Sequence, residues 1–175
     1  GEPLSTEGII KAREEEMAEF RKHGVYRKVP ISKCMKETGK APIGVRWVDV
    51  NKGDHSHPEY RSRLVAKEIK RDRRDDLFAA TPPLEAKKLL FSMAVTAGIG
   101  YEGGLGEKGK KLDFFDVRRA YFHAKARRPV YVQLPEEDQE EGLCGRLNKA
   151  LYGTRDAAAN FQDEVAKFMK NDNNA

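Results

Sequence analysis

An α+β fold is predicted for this chain, and three observations predict it. Thr6–His23 and Ala157–Lys170 carry apolar residues at the spacing of an α-helix. Ile43–Val50 and Tyr60–Ile69 alternate along their length and are joined by the polar, turn-rich Asn51–Glu59, the pattern of a β-hairpin with a long loop. No internal repeat and no clean domain linker is visible, so the 175 residues read as one domain or as part of a larger one.

The first helix, Thr6–His23, has Ser5 or Thr6 to cap it and Gly24 to close it. Ile9, Ile10, Ala12, Arg13, Met17 and Phe20 form its stripe, and Glu14, Glu15 and Glu16 are expected on the solvated side. Val25–Pro30 reads as a short strand ending at proline, and Ile31–Pro42 as a loop. In the hairpin, Val45, Trp47 and Asp49 share one face of the first strand, with Arg46, Val48 and Val50 on the other. The second strand puts Ser62, Leu64 and Ala66 on one face and Arg61, Arg63, Val65 and Lys67 on the other. A cation ladder of this kind can grip phosphates along one line. It also protects an ordinary edge strand from aggregation, and the residues alone leave both readings open.

Lys70–Asp76 is a charge run of mixed sign, read as an exposed loop, and Phe78–Pro83 is extended. Leu84–Ala97 is a second clear helix, ended by Gly98 and Gly100. Gly103–Lys111 reads as a flexible insert and lacks the Gly-Lys-Ser/Thr ending of a phosphate loop. Val130–Leu134 is read as a strand, Pro135–Gly142 as an acidic loop and Leu143–Leu151 as a strand leading to Tyr152-Gly153. Thr154 or Asp156 opens the final helix, whose buried stripe is expected to be Ala158, Phe161, Val165, Phe168 and Met169; Asn171–Ala175 is a polar tail.

Lysine and arginine number 33 against 28 acidic residues, a net charge of +5, which is compatible with nucleic acid without requiring it. Charged residues make up 35% and hydrophobic ones 39%, so a modest core is expected. No apolar run reaches the ~18 residues of a membrane span, and the N-terminus has no signal-peptide core. Cys34 and Cys144 stand alone without a Cys-x-x-Cys pair, which points to reduced thiols in an intracellular protein. His55 and His57 beside Asp54 read as solvated loop residues rather than a zinc site.

Lys111–Lys125, KLDFFDVRRAYFHAK, concentrates the chemistry. Leu112–Phe115 is expected as a strand and Val117–Lys125 as a helix, with Asp116 between them. An aspartate there is either a helix N-cap or a carboxylate held at a strand end for a metal ion. Tyr121, about one helical turn on, could wall a pocket beside it.

Several stretches, in order, resemble the reverse transcriptase of copia-type LTR retrotransposons. They are Ala12…Met17-Ala18-Glu19, Arg46-Trp47-Val48, the run RSRLVAKE (61–68), Ala80–Pro83, DVRRAYFHA (116–124), VYVQLP (130–135) and CGRLNKALYGTRDAAANF (144–161). Each is weak alone, and their collinearity from Ala12 to Phe161 is specific. The resemblance implies a reverse-transcriptase-like fingers and incomplete palm, with about 1–110 mainly fingers and the start of the palm, and 111–170 holding motif A and a motif B-like region. It implies that Asp116 is the first catalytic, metal-binding aspartate, with the Val117 carbonyl as a further ligand to Mg²⁺ or Mn²⁺. Tyr121 would be the steric gate against a ribose 2′-OH, and Arg63, with Arg61 and Lys67, would hold the incoming triphosphate. Tyr152, Gly153, Arg155 and Asp156 would lie near nucleotide and template.

The chain departs from the family at two places. The Tyr-x-Asp-Asp of motif C should follow the last helix, yet no Asp-Asp pair follows Asp116; the metal is therefore expected only where those missing carboxylates are supplied. Asp156 stands where the family often has Gln and Ala158 where it has Pro, and a negative charge at 156 would repel a triphosphate. The resemblance thus implies part of an RNA-directed DNA polymerase, inactive as this chain, whose full-length relatives take RNA template, DNA primer and dNTP within a Pol polyprotein, in a cytoplasmic particle or the nucleus. The alternative is a non-catalytic nucleic-acid-binding remnant using the basic hairpin. An incomplete palm would leave an apolar face exposed and the chain marginally stable.

Overall fold

The computed structural model describes residues 4–54, 56–69, 79, 82–100, 112, 114 and 116–172. The chain forms two compact units, one of residues 1–78 and 119–175, the other of 79–118, where the sequence showed no linker. The charge run at 70–76 and the insert at 103–111 lie outside the described residues.

In the first unit, α1 (Thr6–His23) starts where the Ser5 Oγ accepts the Gly8 N–H. It stops where Gly24 takes a left-handed φ of 57° and returns its N–H to the last turn. Ala12, Met17 and Phe20 are buried along it, but Ile10 is exposed and Glu16 is not solvated. Glu16 is buried because Arg119 reaches back to it, Nε to Oε2, at 3.1 Å. Burial raises the Glu16 pKa, and Arg119 opposes that rise.

β1 (Tyr26–Pro30) runs antiparallel to β5 (Leu143–Leu147), which also pairs with β4 (Tyr131–Val132), giving the order β1-β5-β4. β4 and β5 are shorter than the alternation suggested. Between β1 and the hairpin, the expected loop contains a helix, α2 (Ile31–Thr38), ended by Gly39 at φ 66°. Its Ile31, Cys34, Met35 and Thr38 do follow helical spacing, a signal outweighed by the nearby Gly39 and Pro42. Cys34 and Cys144, distant in sequence, pack together with Val29 and Tyr131 as buried free thiols. Burial, with the neighbouring Cys34, pushes the Cys144 thiol up to about 11.

β2 (Val45–Asn51) and β3 (Tyr60–Ala66) form the expected antiparallel hairpin, with Trp47 opposite Leu64 and Val48 opposite Arg63. Leu64 and Ala66 join Met17, Phe20, Val25, Phe122, Val130, Val132, Leu147 and Leu151 in the main core. Ile43 forms a parallel bridge to Val132, tying the base of the hairpin to the three-stranded sheet. α4 (Ala157–Asp172) matches the predicted helix, but Val165, Phe168 and Met169 are exposed, not buried.

The expected helix over Val117–Lys125 does not form. Arg119 adopts φ 50°, ψ 45°, which breaks any α-helix, and only a 3₁₀ turn, Ala120–His123, follows. Asp116 therefore caps no helix. Leu112 and Phe114 lie outside any strand and are exposed; Asp113 and Phe115 are outside the described residues.

In the second unit, α3 (Leu84–Val95) forms as expected but ends two residues early, and none of its residues is buried. Leu84, Leu89, Leu90 and Val95 are each 59% exposed or more. Phe91 stacks on Phe114 with ring centroids 5.9 Å apart. So large an apolar surface on one helix marks an interface or a liability.

The hairpin is pinned to α1 by charge. Arg13 grips Asp49 with Nη2–Oδ2 at 2.6 Å and Nε–Oδ1 at 3.2 Å, and the Ser62 Oγ donates to Asp49 Oδ1 at 2.7 Å. Bonding from Arg13, then Ser62, holds the Asp49 pKa below the ordinary carboxylate range. A lowered folded-state pKa means the contribution is complete above the unfolded value of about 3.9 and is lost as pH falls through the folded one. We predict that Asp49→Asn costs about 1 kcal/mol at pH 7, allowing for partial exposure. In urea melts the gap to the parent should close below pH ~4; a gap that persists there would contradict this.

Candidate nucleic-acid interface

The alternation of β3 sends Arg61 and Arg63 outward, yet the three ladder cations diverge. Arg61 pairs with Glu59 on its own strand, Nη2–Oε1 2.6 Å, both largely exposed. Arg63 lies over the Tyr152 ring, 5.4 Å from its centroid. Lys67 is past the strand end, where its N–H donates to the Gly44 carbonyl and its side chain lines a separate cavity.

Tyr121 comes to the same aromatic cluster from the 3₁₀ turn. Its ring is 4.6 Å from Tyr152 and 6.2 Å from Phe161. The turn divides its two aromatics: Phe122 is fully buried against Phe20, and Tyr121 stays half-buried at the surface. Burial raises the Tyr152 pKa, and Arg63 opposes that rise. Arg63, Tyr152 and Tyr121, from three separate parts of the chain, thus form one group.

Tyr152 is held by backbone. The Ala66 N–H donates to the Tyr152 carbonyl at 2.8 Å, and Gly153 takes φ 82° directly against β3. A Cβ at Gly153 would stand 2.0 Å from the Ala66 carbonyl oxygen, so only glycine allows this approach. Asp156 is buried and faces a cation: Arg128 Nη2 is 2.8 Å from its Oδ1, and Asn160 Nδ2 donates to its Oδ2 at 3.0 Å. The negative charge expected to repel a triphosphate is therefore compensated within the protein. Arg128 also donates to Glu68 at 2.6 Å, and the Arg155 N–H to the same oxygen at 2.8 Å. Burial works against the Arg128 charge, but Glu68 and Asp156 outweigh it and keep its pKa raised. Sequence reading missed Arg128 and Glu68, and no local pattern links residues so far apart.

Asp116 and Val117 belong to the 79–118 unit, where both are exposed and neither is in a helix or strand. Among the described residues, no group of three or more His, Cys, Asp or Glu is placed to hold a metal. Mg²⁺ demands octahedral oxygen ligands, usually with one or two carboxylates. The described donors do not fit the ion by themselves, and no chemical step is derived through it.

The fold is mixed helix and sheet, and the residues drawn together are those that contact phosphates and bases in polymerases of nucleic acid. The family profile "Reverse transcriptase (RNA-dependent DNA polymerase)" matches residues 31–174. The chain belongs to the reverse transcriptase family, in its copia-type branch. It is 26% identical over 170 residues to the "Retrovirus-related Pol polyprotein from transposon TNT 1-94" of Nicotiana tabacum, covering 93% of this chain and 12% of that polyprotein. No solved structure matches significantly. Among the described residues no helix is long and apolar enough to cross a membrane.

The close approach at Gly153 can be tested against a second left-handed glycine. Gly153→Ala is expected to cost about 2 kcal/mol or more. Gly24→Ala, with open space around it, should cost only about 1 kcal/mol. Equal losses in chemical denaturation would show that the Ala66 contact is unimportant.

Proposed function

We propose that this chain is the fingers and first palm portion of an RNA-directed DNA polymerase from a copia-type retrotransposon. The observation that carries the reading is the grouping of Arg63, Tyr121 and Tyr152. These residues, far apart in sequence, hold the positions that the family resemblance gives to triphosphate grip, sugar gate and the motif B region. In this reading Asp116, with the Val117 carbonyl, supplies the first metal-binding group. Mg²⁺ or Mn²⁺ is bound once the family's other carboxylates are present. Tyr121 excludes the ribose 2′-OH, and Gly153, Arg155 and Asp156 shape the floor near the template. RNA template, DNA primer and dNTP are the substrates of the whole polymerase, of which this chain would be one part within a Pol polyprotein. The chain spans about an eighth of the relative it matches. By itself it is not expected to extend a primer.

A second reading is favoured by the outer hairpin face, where Val48 opposes Arg63 and Val50 opposes Arg61. A ribbon that alternates apolar and cationic groups can bind a nucleic-acid backbone without catalysis.

Primer extension on poly(rA)·oligo(dT) with Mg²⁺ or Mn²⁺ separates the two. A longer chain that continues through a Tyr-x-Asp-Asp strand should extend the primer, and Asp116→Asn should reduce this to background. Tyr121→Ala should keep extension but admit ribonucleotides. Full activity in Asp116→Asn would overturn the polymerase assignment. If the longer chain is inactive but the 175-residue chain binds primer–template with steep salt dependence, the binding reading stands instead.

A further inference from the structure

We propose that the first unit contains a second anion site, a cavity built for a phosphate group, distinct from the Arg63–Tyr121–Tyr152 cluster. The proposal stands without the polymerase reading. The cavity holds about 530 Å³ and is lined by residues from α2, the 40–44 segment, the end of β3, the start of β4 and Arg155. Four cations, Lys40, Lys67, Arg128 and Arg155, face one carboxylate, Glu68.

That carboxylate is already engaged. Glu68 accepts from Arg128 Nη2 and from the Arg155 N–H at one oxygen, so it does not neutralise the remaining wall. Among the described residues, no carboxylate lies within ion-pair distance of Lys40 or Lys67. The Arg128 Nε–H is buried and has no acceptor. A buried donor without a partner is costly, and a charge-assisted bond to an anion would satisfy it. Two lysines and an orphaned guanidinium N–H around one cavity are what a phosphate requires: several donors and excess positive charge. Pro42, Ile43 and Val130 supply apolar wall beside them, room for the organic part of a phosphate ester.

The ligand class is therefore a phosphate ester. It could be the monoester of a free nucleotide or the diester of a nucleic-acid strand. Lys67 reaches the cavity because Gly44 leaves room for its stem, which would lie 2.9 Å from a Cβ at that position.

The test is calorimetric titration of the 175-residue chain with AMP, with inorganic phosphate and with an oligo(dT) octamer lacking terminal phosphate. Amide NMR would locate the site. AMP or the octamer should bind and shift the Ile43 and Gly44 amides. Lys40→Gln and Lys67→Gln, both at exposed positions that leave the fold intact, should each weaken binding about tenfold. Arg61→Gln, outside the cavity, should leave it unchanged. Binding of AMP but not the octamer assigns the monoester, and binding of the octamer displaced by AMP assigns a strand diester. Absence of binding by all three probes would overturn the proposal, as would equal weakening in Arg61→Gln, which would mean a diffuse attraction to basic surface.

Discussion

The seam between the end of β3 and the Tyr152–Asp156 loop is the contact on which the rest of the first unit depends. One backbone bond, Ala66 N–H to the Tyr152 carbonyl, joins segments some 85 residues apart in sequence. It is possible only because Gly153 has no Cβ to strike β3. Behind it, Arg128 links Glu68, just past β3, to Asp156, just before α4. Each carboxylate would be expensive to bury alone, and the guanidinium between them makes the arrangement tolerable. The seam brings the Tyr152 ring under Arg63 and beside Tyr121 on one side and shapes the Lys67–Arg128 cavity on the other.

Charge does much of the positioning in a molecule with a modest core. Arg13 clamps Asp49 while lying 5.3 Å over the Trp47 ring, and Trp47 donates its own N–H to Glu137. Arg119 holds buried Glu16, and this contact accompanies the left-handed turn that ends any helix after Asp116. Tyr26 and Lys28 reach the acidic Asp138 on the loop between β4 and β5. What composition alone presents as solvated charge is partly internal wiring. The exposed apolar residues of α3 sit in the other unit and have no counterpart in that wiring.

Elements with strong periodicity were legible: α1 with its Ser5 cap and Gly24 stop, the β2–β3 hairpin and α4. α2 was not, because eight residues between a proline and a glycine give little periodic signal and only Cys34 is buried. The region after Asp116 misled for a different reason. Its residues favour a helix locally, while Arg119 is drawn to Glu16 by a tertiary contact that local propensity cannot encode. For the same reason Glu16 looked solvated, and Val165, Phe168 and Met169 looked buried though they are exposed. At the site, Arg63, Tyr121 and Tyr152 were named from resemblance, and their grouping needed the fold. The compensation of Asp156 by Arg128 had no sequence signature at all.

The most direct measurement of the seam is residue-resolved amide hydrogen exchange on the parent chain and on Glu68→Gln. Removing that charge weakens the hold on the Arg128 side chain and the Arg155 N–H without cutting into the core. Faster exchange at Ala66 and Arg155, with Val25 still protected behind the end of α1, is the result predicted here. Unchanged protection at Ala66 would mean that the hairpin and the Tyr152 loop are held together by something other than the Glu68–Arg128–Asp156 link.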